Sequence, residues 1–160
     1  MAIVIEQQSR CPICNDFLDS NKEYFLVPPL TSNTKDSLFN LSDVGIHTDC
    51  INKSELKSKL LRHIDFYYAS LPPSKLKCYI NGKQIEKPEN LLFFGLLTSD
   101  DAEELYNFNY LSFDIRNINK WIDLNRFLMI AEKFLEEKKW VGLSGFNMLQ
   151  YIIDQIKKCR

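Results

Sequence analysis

Apolar residues recur along this chain with two different periods, and the switches between them mark out its elements. After Cys50, the positions Leu56, Leu60, Ile64 and Tyr67 or Tyr68 return at steps of three and four, which places them on one face of a helix. Leu71-Pro72-Pro73 ends that stripe, because proline lacks the amide a helix needs. A second stripe joins Trp121, Leu124, Leu128, Ala131 and Leu135, is widened by Ile122, Phe127 and Phe134, and runs up to Lys138 and Lys139. Trp140-Val-Gly-Leu-Ser-Gly145 then reads as a turn. The last helix carries Phe146, Leu149, Ile153 and Ile156, with Lys157 and Lys158 in its final turn facing the negative end of the helix dipole.

Shorter β-type runs fill the rest. Ile3-Val-Ile5 and Tyr24-Phe-Leu-Val27 predict strands, the second stopped by Pro28 and Pro29. Residues 31–40 are rich in Ser, Asn, Thr, Lys and Asp and predict a loop, after which Phe39, Leu41 and Val44 lead back to His47. Asn81-Gly82, between residues 77–80 and 83–86, predicts a hairpin with a type I′ turn. The continuous apolar run 91–97 predicts a buried strand, Thr98-Ser-Asp-Asp101 the start of a short helix reaching about Tyr106, and residues 110–115 another strand.

Chemistry enters through two spaced pairs: Cys11 and Cys14 in Cys-Pro-Ile-Cys, and His47 and Cys50 in His-Thr-Asp-Cys. Three thiolates and one imidazole complete a tetrahedral zinc shell and leave no position for a catalytic water, so these four residues predict one structural Zn²⁺. An early Cys-x-x-Cys knuckle paired with ligands at the first turn of a helix is the treble-clef arrangement. The long stretch 15–46 between the pairs is an excursion from a compact finger.

Rival chemistries fit less of the sequence. A redox Cys-x-x-Cys needs a helix starting at the first thiol, whereas Asn15-Asp16 follow the second, and that reading leaves His47 and Cys50 unused. Treble-clef nucleases need further histidines, and the chain has two, His47 and His63; the flanking Arg62 makes His63 read as an ordinary surface or boundary residue. Cys78 and Cys159 read as packing and terminal residues. Neither a Ser-His-Asp order nor a phosphate-cradling glycine loop is visible, so the chain predicts no enzyme.

Composition narrows the partners. The 160 residues are 45% hydrophobic and 26% charged, with a formal charge of −1, which gives no bulk attraction to nucleic acid or an anionic membrane. Lys53, Lys57, Lys59 and Arg62 nevertheless give a helix over 51–64 a basic side, and a nucleic-acid-binding regulator is the alternative reading. Asp100, Asp101, Glu103 and Glu104 form an acidic cluster that reads equally as helix-start carboxylates. Met1-Ala-Ile-Val-Ile-Glu6 lacks the basic start of a signal peptide, and odd, paired cysteines suit metal better than disulfides, so the expected location is the cytoplasm, without a membrane partner.

With the two ligand pairs and the Trp140–Gly145 turn ahead of a closing amphipathic helix, the chain resembles small uncharacterised bacterial zinc-binding proteins, treble-clef-like in build. Proteins of this size and style look like immunity proteins of polymorphic toxin systems. That resemblance implies a non-enzymatic protein that binds and neutralises a cognate toxin. The expected fold is α+β, with a zinc-binding treble-clef-like module over 1–70, then strands and a C-terminal pair of packed helices over 75–160, the two packed as one unit.

Overall fold

The computed structural model describes residues 2–160. It is a mixed α/β structure with two small antiparallel sheets. In the first, β1 (Tyr24–Leu26) pairs with β2 (Gly45–His47), setting Tyr24 opposite His47 and Leu26 opposite Gly45. Strand β2 runs straight into α1 (Thr48–Asn52), and α2 (Lys57–Ala69) follows. In the second sheet, β3 (Leu91–Phe93) pairs with β4 (Ser112–Asp114), and the chain ends in α3 (Leu124–Glu136) and α4 (Met148–Lys158).

The buried apolar side chains form two clusters. One gathers Leu18, Val27, Leu38, Ile46, Ile51 and Leu60 from the N-terminal half, together with Leu96 from the second half. The other packs α3 and α4 against the second sheet around Phe94, Phe108, Phe113, Trp121 and Phe127. Ring centroids there lie 4.6 Å apart for Phe113 and Trp121 and 4.7 Å apart for Phe94 and Phe127, which adds about 0.5–1.5 kcal/mol per pair to simple burial.

Polar contacts sew the halves together. Buried Asn33 donates from Nδ2 to the Lys139 carbonyl at 3.0 Å, and its Oδ1 accepts from the Val141 amide at 3.0 Å. Asp36 accepts from both the amide and the hydroxyl of Ser99 at 2.7 Å.

Several elements differ from the periodic expectation. Residues 3–5 form no strand: the Ile5 carbonyl accepts from Gln8 and Ser9 in a local turn, and Ile3 is 80% exposed. The helix expected from Cys50 is interrupted after Asn52. There the Ser54 hydroxyl accepts from the Leu56 amide, a local bond that competes with the helical ladder. The 91–97 run is a strand only to Phe93. Gly95 then takes φ +64, a conformation glycine adopts without strain, and turns the chain while Phe94, Leu96 and Leu97 stay buried.

The helix expected from Thr98 is replaced by turns in which the Asp100 carboxylate accepts from the Ala102 amide, followed by a 3₁₀ segment at Glu104–Phe108. Gly82 alone, not Asn81, has positive φ in the 77–86 hairpin, so its turn is not type I′ but a four-residue loop closed by Cys78 and Lys83. Trp121 lies before α3, at the end of the 3₁₀ segment Ile115–Lys120, and Ile122 is 96% exposed rather than part of the buried face. Phe146 likewise precedes α4 and is exposed. Asn147 caps that helix by accepting from the Gln150 amide.

Candidate metal centre

Cys11 and Cys14 sit in a tight loop closed by the antiparallel bridge between Arg10 and Phe17. The Cys11 amide donates to the Asp16 carbonyl, and the Asn15 amide donates back to the Cys11 carbonyl, both at 2.9 Å. Asn15 takes φ +63, a left-handed conformation its short polar side chain tolerates better than most. Outside the loop, the Arg10 guanidinium lies 3.8 Å above the Phe17 ring and donates to the Asn15 carbonyl at 2.8 Å.

The second pair comes from the junction of β2 and α1. His47 ends the strand in an extended conformation and serves as the N-cap of α1, and Cys50 lies within the first turn, so both face the same way. A Cβ added to Gly45 would fall 2.5 Å from Leu18 Cδ1 and 3.0 Å from Val4 Cγ2. Only glycine lets the knuckle segment approach β2 this closely.

The ligand atoms of Cys11, Cys14, His47 and Cys50 all lie within 4.8 Å of one another, so the four sequence-predicted residues do come together and could hold one metal ion. His47 presents Nδ1 to the group, 3.3 Å from Cys14 Sγ. With metal–sulfur bonds of about 2.3 Å and metal–nitrogen bonds of about 2.0 Å, the edges of a tetrahedral shell are about 3.5–3.8 Å, so a cation would need only a small contraction. It is Nδ1 that is turned toward the sulfurs, while Nε2 is buried without a hydrogen-bond partner.

Electrostatics fit a cation as well. Burial, and then the Cys14 and Cys11 sulfurs beside it, push the Cys50 thiol up to about 11. Crowded thiols hold their protons in this way until a positive charge replaces them. Cys11 behaves oppositely. Its burial is outweighed by hydrogen bonds from the backbone of Cys14, His47 and Ile13, and its pKa is lowered. Such donors offset the excess charge of a thiolate shell.

The centre is lopsided. Cys11 is fully buried, Cys50 half-buried and Cys14 exposed. Cys14 and Cys50 border a cleft of about 410 Å³ that is also lined by Asp16, Lys22, Asp49 and Lys53. Lys22 bonds Asp16 at 2.7 Å on its rim.

Other candidates fall elsewhere. Cys78 is buried and Cys159 exposed, both outside the cluster. The basic residues do not share one helix: Lys53 follows α1, whereas Lys57, Lys59 and Arg62 belong to α2. In the acidic cluster, Glu103 pairs with Lys139 and Glu104 with Arg126. His63 is not a surface residue. It is fully buried, with Nδ1 3.0 Å from the Tyr110 hydroxyl. Its place beside Leu60, Ile64 and Tyr67 on the inward stripe was the signal for this.

Among the described residues no helix is long and apolar enough to cross a membrane. Comparison with family models, with curated proteins and with solved structures returns no match.

Proposed function

We propose that Cys11, Cys14, His47 and Cys50 hold one structural Zn²⁺ in a treble-clef-like module, and that the protein is a non-enzymatic binding protein, an immunity protein that neutralises a cognate bacterial toxin. The observation that carries the metal reading is the convergence of three sulfurs and His47 Nδ1 within 4.8 Å. Four protein ligands fill a zinc shell, so the ion's work is to tie the knuckle to the base of α1. The partner reading is supported by apolar side chains left exposed around that knuckle, namely Ile13, Phe17 and Leu26. Large exposed apolar side chains are the kind that anchor a protein partner.

Elemental analysis of the reduced, purified protein should find one zinc per chain, and a protein without stoichiometric metal overturns the centre. Co-expression with any toxin encoded beside it should restore growth and give a complex that co-purifies. Failure to bind or neutralise any such neighbour removes the immunity reading.

A further inference from the structure

We propose that Cys14 is an oxidation site through which the metal centre is opened, the attacking species being a peroxide. This rests on the zinc reading above and goes beyond it. The inference comes from the asymmetry of the four ligands. The Cys11 sulfur lies fully buried in the N-terminal core. Burial denies a reagent its approach. Cys14 is the one member of the cluster exposed to solvent, and with His47 and Cys50 it borders the cleft that Lys22 and Lys53 help to line. A small polar oxidant therefore meets the Cys14 sulfur first.

The chemistry balances with hydrogen peroxide as the oxidant. The Cys14 thiolate attacks one peroxide oxygen, the O–O bond breaks, and Cys14 becomes a sulfenic acid as hydroxide leaves and takes up a proton to form water. A second ligand thiolate, from Cys11 or Cys50 within 4.8 Å, then attacks the Cys14 sulfur and expels hydroxide as the S–S bond forms. In sum, two thiolates lose two electrons and one peroxide, with two protons, becomes two waters. Two of the four ligands are now bound to each other, and the ion leaves.

The test uses the zinc-loaded full chain carrying Cys159→Ser, which removes the other exposed thiol. Peroxide is added in substoichiometric steps while free zinc is followed with a chromogenic chelator, and the cysteines are mapped by mass spectrometry after dimedone trapping. The expected result is that dimedone appears first on Cys14, that one zinc is released per disulfide formed, and that dithiothreitol with added zinc restores the starting state. First labelling of Cys11 or Cys50, or oxidation of Cys14 with the zinc retained, overturns the inference while leaving the zinc reading intact. Absence of zinc from the untreated protein overturns both.

Discussion

Acidification should weaken this fold through His63. The side chain is fully buried between α2 and the 106–110 segment, its Nδ1 is committed to the Tyr110 hydroxyl, and its Nε2 has no partner. An imidazolium needs an acceptor at each nitrogen, so charging it would bury an unanswered N–H. Burial first and then Arg62, opposed by Asp36 and helped slightly by Lys59, pushes its pKa down to about 4. Because the folded value lies below the unfolded value of about 6.5, the contribution of neutral His63 is complete above pH 6.5 and is lost as the pH falls toward 4. The full shift is worth about 3 kcal/mol, of which about 2 kcal/mol is lost between pH 7 and pH 5. Urea titrations at both pH values, on the native chain and on His63→Gln, isolate it. Both proteins carry the same thiols and His47, so protonation of the metal centre cancels in the difference. The stability gap between them should close by about 2 kcal/mol on going to pH 5. Parallel pH profiles would refute the reasoning.

Two further substitutions probe the junctions. Asn33→Ala removes a buried group that bonds the Lys139 carbonyl and the Val141 and Lys35 amides, so it should cost about 2 kcal/mol in thermal or urea unfolding and speed amide exchange at Val141. Gly45→Ala places a methyl group against buried Leu18 in a strand that feeds His47. It should cost about 1–3 kcal/mol and lower zinc affinity in a competition titration with a chromophoric chelator. Unchanged affinity would separate β2 packing from the centre.

The four-residue Cys/His cluster and the helical faces were legible because each rests on local patterns. Cys-x-x-Cys and His-x-x-Cys declare themselves over four residues, and the stripes of α3 and α4 repeat often enough to outlast errors at their ends. What escaped depended on partners far along the chain. Ile3 and Ile5 have strand propensity, but no neighbouring strand takes up their backbone, so the propensity goes unused. His63 was read from its neighbour Arg62, whereas its environment is set by Tyr110, 47 residues away. The loops at Ser54 and Asp100 were missed for a different reason. There a side-chain oxygen captures a backbone amide that a helix would otherwise use, and periodicity does not register that competition.

The two halves reach stability by unequal means. The C-terminal cluster gathers seven aromatic side chains around α3 and α4, both tryptophans of the chain among them. The N-terminal cluster is built mostly of single aliphatic side chains drawn from loops and three-residue strands, and its buried Cys11 is also one of the four clustered residues that could hold a metal ion. Where a segment cannot bury enough apolar surface, a bound ion replaces core by tying distant residues together. Stripping the metal from the reduced chain should therefore unfasten residues 10–17 and 45–52 and disperse the apolar side chains they display, while tryptophan fluorescence changes little. A partner that contacts the exposed Ile13 and Phe17 would thereby lose its target without the protein unfolding as a whole. The ion would then govern recognition as well as folding.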